Sequence, residues 1–274
     1  MIPEERKIIV SKTARSLMVT KPHRCEKEVS VTYPQDDEKL RVLYSLWLST
    51  QKPIMASRMG EKAQFPDAYT PTRMMPPKDL AIMFLMTIIL IVGVYQFYFW
   101  TQNHMIKPAR RFDMKIDRLF TLKPGWVWIY SGLYYPIIVL TVVTIDDMRQ
   151  YNYTAMSFFF LLFMQMAFFR WYPVETPPEW RDYGELDTLS VRFMKFVQSF
   201  DDNTNCFPSM HVSVATLTAF HLVANAPSLG LWPWAFPVLI AISALWTKQH
   251  YFVDLLPGAG LAWVAWELHQ WFAL

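Results

Sequence analysis

The longest uninterrupted apolar stretch covers residues 80–100, with no Asp, Glu, Lys, Arg or His. At about 1.5 Å per residue, a helix of that length crosses a hydrocarbon core about 30 Å thick. It predicts the first of six membrane spans. The others are placed near residues 127–145, 154–169, 211–226, 231–246 and 250–268. The third contains Gln165 and ends at Arg170-Trp171-Tyr172, a basic and aromatic sequence suited to a membrane interface. Complete helices are preferred because unpaired backbone in lipid costs several kcal/mol. Five spans plus a re-entrant piece is the alternative.

The pattern changes between spans three and four. Residues 171–205 form the most polar internal stretch, beginning with Pro173, Pro177 and Pro178. After them, Leu186, Leu189, Phe193, Phe196, Val197 and Phe200 recur on one helical face, with Arg192, Lys195 and Gln198 among them. This predicts a helix lying in the interface rather than crossing it. Residues 1–78 mix charge and proline with apolar patches such as Val42-Leu43-Tyr44 and Leu46-Trp47-Leu48. They are expected to be a non-catalytic hydrophilic leader with a membrane-surface helix. Residues 79–274 would form the catalytic domain. The predicted fold class is an all-α integral membrane protein, with six transmembrane helices and an interfacial helix between the third and fourth.

Composition agrees with this picture, at 53% hydrophobic and 18% charged residues. A net charge of +3 is too small to indicate nucleic acid as a partner. The basic residues instead gather in the connectors. Lys107, Arg110, Arg111, Lys115, Arg118 and Lys123 follow span one, offset by Asp113 and Asp117. Counting positive charge points to a cytoplasmic face for these connectors, although the same cations also suit a substrate phosphate. The two cysteines, Cys25 and Cys206, fall on opposite sides of the expected membrane, so no disulfide framework is predicted.

Two stretches carry candidate chemistry, Cys206-Phe207-Pro208-Ser209-Met210-His211 and Thr247-Lys248-Gln249-His250-Tyr251-Phe252-Val253-Asp254. Each opens an apolar span. With six spans, both would enter the membrane from the same face. His250 and Asp254 are four apart, so on a helix they are neighbours about 6 Å apart at Cβ. The carboxylate can take a proton from one imidazole nitrogen and leave the other as a nucleophile toward phosphorus. His211 is suited to general acid/base work. Ser209 would position phosphate or cap the helix that follows it. Arg170 and Lys248 are the candidate phosphate-binding cations at the rim, or else interfacial side chains that snorkel. His211, His250 and Asp254 are also chemically acceptable metal ligands, but the phosphohistidine route requires no metal. No glycine-rich nucleotide motif is present, so neither a nucleotide nor another cofactor is expected.

These motifs resemble those of the type 2 phosphatidic acid phosphatase (PAP2) superfamily, especially the branch containing inositol phosphorylceramide synthases. Phe207-Pro208-Ser209-Met210-His211 is similar to that branch's Phe-Pro-Ser-aliphatic-His pattern, and His250-Tyr251-Phe252-Val253-Asp254 to its His-Tyr-x-x-Asp. The resemblance covers residues 113–266 and extends to Tyr130-Ser131-Gly132-Leu133-Tyr134, Pro173 to Pro178, and Gly258. It implies a six-helix membrane core in which His250 attacks, His211 does the acid/base work and Asp254 orients His250. The chain departs from the broader phosphatase pattern at Met210, where that pattern has glycine, and at Ala244, where it has arginine. A Lys-x-x-x-x-x-x-Arg-Pro signature is missing around Arg170. These departures lean toward the lipid phosphotransferase branch.

The resulting expectation is transfer of a phosphoryl or phosphorylated headgroup from a membrane lipid to an alcohol such as ceramide or diacylglycerol. Lipid phosphate hydrolysis is the first alternative, and an inactive lipid-binding or scaffold protein the second. The pattern does not choose a donor headgroup, an acceptor or an oligomeric state.

Overall fold

The computed structural model describes residues 75–112 and 114–273. The expected surface helix of the leader, and Cys25, lie outside the described residues. Seven α-helices account for most of the described chain. The first, α1 (Pro77–Asn103), begins on a proline whose missing N–H costs nothing in a first helical turn. Its 27 residues span roughly 40 Å. Met83 packs against Val142, Ile145 and Tyr151, while Ile82, Leu85, Ile88 and Ile89 point outward. So many exposed aliphatic side chains on one helix fit hydrocarbon as the surrounding solvent.

The second span is continuous but irregular. It runs through a 3₁₀ turn (Pro124–Trp126), a π-helical turn (Trp128–Leu133), α2 (Tyr134–Leu140) and a final 3₁₀ turn (Thr141–Thr144). Pro136 falls in the first turn of α2, where the lack of an amide is tolerated. The wide turn before it carries Tyr130 and Ser131 inward. Next comes α3 (Met148–Trp171), capped by Asp147, whose carboxylate accepts from the Gln150 amide at 2.7 Å.

By length and composition, three helices are able to cross a membrane: Pro77–Asn103, Pro124–Thr144 and Met148–Trp171. They contain the first and third expected spans and nearly all of the second. The protein is an integral, multi-pass membrane protein with an all-helical architecture. In the second half, α5 (Met210–Asn225) and α6 (Ala235–Trp246) are short, at 16 and 12 residues, and α7 (Phe252–Ala273) contains Pro257.

The helix expected between the third and fourth spans forms as α4 (Leu189–Gln198), with Thr188 accepting from the Val191 amide at its start. Its burial differs from a simple reading of the period. Val191 and Met194 face the protein, joining Val127 and Tyr183, whereas Leu189, Phe196 and Phe200 of the expected apolar face are exposed. Part of the expected apolar face is thus turned toward the surroundings rather than toward the protein.

The core lies where α5 packs against α6 and α7, and α3 against α7 and α1. The central cluster joins Tyr130, Tyr134, Val212, Phe236, Ile240 and Leu255. Ala244, one of the departures from the phosphatase pattern, is fully buried in this apolar cluster, where an arginine would lack both room and solvation. Contact between α5 and α7 is closest at Gly258. A Cβ there would lie 2.6 Å from the Ser209 carbonyl oxygen and 3.2 Å from Ser213 Oγ.

Gly258→Ala is therefore expected to push the two helices apart, at a cost of roughly 1–3 kcal/mol typical of overpacking. Thermal unfolding in detergent would check this, since an unchanged midpoint contradicts a backbone-limited crossing.

Candidate active site

Two backbone geometries aim the histidines at one another. His211 lies in the first turn of α5, which starts directly after the cis Phe207-Pro208 bond and is capped by Ser209, whose Oγ accepts from the Val212 amide at 3.3 Å. His250 precedes α7, and Asp254 is in that helix's first turn. The Ser209 amide donates to the Asp254 carbonyl at 3.0 Å, stitching the two helix starts together. The imidazole centroids are 6.1 Å apart.

The two rings have different surroundings. His250 is buried, and its Nδ1 lies 2.9 Å from the Cys206 carbonyl oxygen and 3.4 Å from Asp254 Oδ2. A carbonyl can only accept, so Nδ1 must carry a proton, which in the neutral tautomer places the lone pair on Nε2. Asp254 is completely buried; its Oδ2 also accepts from the Tyr251 amide at 2.8 Å. Sequence spacing makes the carboxylate the expected principal acceptor for His250. Instead the backbone carbonyl of Cys206 makes the shorter contact, and the Asp254 carboxyl lies beside it at 3.4 Å.

His211 is partly exposed and meets a hydroxyl rather than a fixed acceptor. Its Nδ1 lies 2.9 Å from Tyr130 Oη, with the two rings stacked at 4.1 Å. Tyr134 packs on the same imidazole at 4.6 Å. A phenol can donate to a neutral imidazole or accept from a charged one, so this contact survives a change of protonation. Tyr130 belongs to the family resemblance, but nothing in its spacing discloses a contact with His211.

Both histidines line a cavity of about 470 Å³, within the range of small-molecule sites. Its wall includes Tyr98, Asn205, Cys206, Met210 and Gln249, and on the α4 side Phe193, Phe196 and Phe200. No lysine or arginine is among the described residues lining it. Asp201 is, held by Arg181 at 3.1 Å and by the Tyr98 hydroxyl at 3.1 Å.

The remaining sequence candidates fall outside the cavity wall. Arg170 places its guanidinium over the Trp100 ring, 4.9 Å from the centroid. Ser209 is fully buried and engaged in capping. Lys248 adopts a left-handed backbone with φ of 57°, donates to the Asp117 carbonyl at 2.7 Å and lies over Trp180. Burial lowers its ammonium pKa, opposed by nearby Asp117. Asp117, in the sequence one charge of a basic connector, is buried and accepts from the Phe252 amide at 2.7 Å. Burial raises its carboxyl pKa, against that hydrogen bond and Lys248. Lys248 and Asp117 together tie the connector to the start of α7. A second histidine pair, His221 and His269, is remote in role: His221 Nε2 meets Ser157 Oγ at 2.8 Å inside the helix core.

Two imidazoles, one with its Nδ1 against a backbone carbonyl and a buried carboxylate and the other against a tyrosine hydroxyl, open on a shared cavity at the starts of α5 and α7. The model of one family, the PAP2 superfamily, matches residues 121–268, more than half of the chain. The chain belongs to the PAP2 superfamily. The matched segment contains both histidines and Asp254, and membership implies activity of the lipid phosphatase or phosphotransferase type on lipid phosphates. No curated protein and no solved structure gives a significant match. Helix α1, which contributes Tyr95 and Tyr98 to the cavity, lies outside the segment matched to the PAP2 superfamily.

Cys206 offers its carbonyl rather than its sulfur. Burial pushes its thiol well above the usual range, reinforced by Asp254 and Asp201. Alkylation of native protein at about pH 8, close to where an ordinary thiol ionises, should leave Cys206 unmodified. Site-resolved mass spectrometry after iodoacetamide treatment reads this directly, and rapid modification of the folded protein would contradict it.

Proposed function

We propose that this protein is a lipid phosphotransferase of the inositol phosphorylceramide synthase-like branch, built as a six-span catalytic domain over residues 79–274. His250 Nε2 attacks the lipid phosphorus, a P–N bond forms, and the P–O bond to the leaving alcohol breaks as His211 supplies its proton. In the second half an acceptor alcohol attacks the phosphohistidine while His211 takes the acceptor's proton, and cleavage of the P–N bond returns the lone pair to His250. Asp254 and the Cys206 carbonyl orient His250 and stabilise its charged form.

The observation carrying this assignment is the asymmetry of the two Nδ1 atoms. His250 faces acceptors only, which suits a nucleophile of fixed tautomer; His211 faces the ambivalent hydroxyl of Tyr130, which suits a group that gains and loses a proton in each turnover. The phenylalanines bordering the cavity support transfer over hydrolysis, because an apolar surround disfavours water as the acceptor. Ser209 and Lys248 enter as residues that position the two motifs, and Arg170 as an interfacial side chain.

Incubated with lipid labelled at the phosphorus, wild-type protein should acquire acid-labile label. His250→Ala should acquire none, and His211→Ala should turn over about 10²–10⁴-fold more slowly, the usual range for lost acid/base catalysis. Full activity in His250→Ala would sink the mechanism. Supplying diacylglycerol, ceramide or a simple alcohol and identifying the phosphorylated product separates transfer from hydrolysis; free phosphate with every acceptor would leave a phosphatase.

Tyr130→Phe keeps the ring against His211 and removes the hydroxyl. Turnover is expected to fall about fivefold, consistent with loss of one hydrogen bond of roughly 1 kcal/mol, with a displaced pH–rate profile. An unchanged profile would assign Tyr130 to packing alone.

A further inference from the structure

The cavity at the histidines is continuous in its lining with a second one. Ile91 and Tyr95 of α1 and Tyr135 of α2 contribute to both, and the Tyr95 and Tyr135 hydroxyls hydrogen-bond to each other between them. The second cavity, about 120 Å³, lies among α1, the second span and α3, with Leu90, Val94 and Ile138 in its largely apolar wall. An apolar cavity of similar size, about 150 Å³, stays dry and accepts a molecule such as benzene, so this one has room for a few hydrocarbon carbons. The histidine cavity also has apolar lining at the surface, where Val92 of α1, Phe196 of α4 and Phe200 just after α4 are 55, 60 and 57% exposed. The two cavities thus share a wall at the tyrosine pair, with the histidines lining one and a largely apolar recess forming the other.

We propose that this recess seats the distal part of one hydrocarbon chain of the substrate lipid, which passes Tyr95 and Tyr135 while its phosphate lies at His250. The inference rests on the lipid-phosphate reading of the site and adds the place of the chain. It also assigns a role to α1, which lies outside the family-matched segment but forms one wall of the recess. Chain selectivity is then set by side chains of α1 and α2, separately from the histidine chemistry.

The test uses full-length protein in phosphatidylcholine nanodiscs and a phosphatidic acid with a diazirine at the end of one chain. After irradiation, adducts should map to Val94, Ile138 and neighbouring wall residues, and excess unlabelled phosphatidic acid should suppress them. Adducts confined to the outer residues Ile82, Leu85 and Ile89, or insensitive to competitor, would overturn the proposal. Val94→Trp, which fills the recess, should lower the wall adducts at least about fivefold while leaving those on the outer face; undiminished wall labelling would also overturn it. Cross-linking needs no turnover, so the two readings fail separately. Wall adducts without phosphoryl transfer uphold the chain seat and sink the catalytic assignment, whereas transfer without wall adducts does the reverse.

Discussion

The close crossing of α5 and α7 fixes the geometry around the two histidines. At Gly258 the two helices approach until the Ser209 carbonyl occupies the space a side chain would need, and the Ser209 amide reaches the Asp254 carbonyl. That contact brings the loop holding Cys206 over the start of α7, where its carbonyl meets His250 Nδ1. A backbone acceptor cannot rotate away as a side chain can. The orientation of His250 is thus built into the chain path, with the buried Asp254 carboxyl beside it.

The second span solves a different problem. A regular helix would carry Tyr130 and Tyr134 one turn apart on a single face, and both are needed around one imidazole. The π-helical turn holds Tyr130, whose hydroxyl meets His211 Nδ1, and leads into Tyr134, which covers the ring. Wide turns of this kind cost regular hydrogen bonding and recur where a helix must present side chains to a site.

Few charged side chains border the cavity lined by the two histidines. Arg181 is paired with Asp201, Lys248 is committed to Asp117 and Trp180, and Arg170 lies on Trp100. Ala244 is packed into the core where the broader phosphatase pattern has a cation. The wall is instead aromatic, with polar tips from tyrosine, asparagine and glutamine. The apolar part of this wall suits the body of a lipid, while the lack of lysine and arginine in the lining applies equally to the phosphate of a lipid and of a soluble ester.

The sequence by itself determined the membrane character, because runs of apolar residues are a local property that length converts directly into span. It also placed His250 near Asp254, although His250 stands just before α7 and its 3.4 Å contact with Asp254 comes from the turn into the helix rather than from a shared helical face. A helix over residues 189–198 was legible from its period, though which of its faces met protein was not; Val191 and Met194 pack inward against Tyr183 and Val127. Tertiary structure alone decided the rest. Tyr130, the Cys206 carbonyl and Asp117 act across wide sequence separations, and their partners depend on helix packing rather than on any periodicity. Arg170 and Lys248 looked available as isolated cations, and packing gave each an aromatic partner outside the cavity. Hydropathy encodes how deep a residue lies in the bilayer; only the fold encodes which neighbour its polar atoms meet.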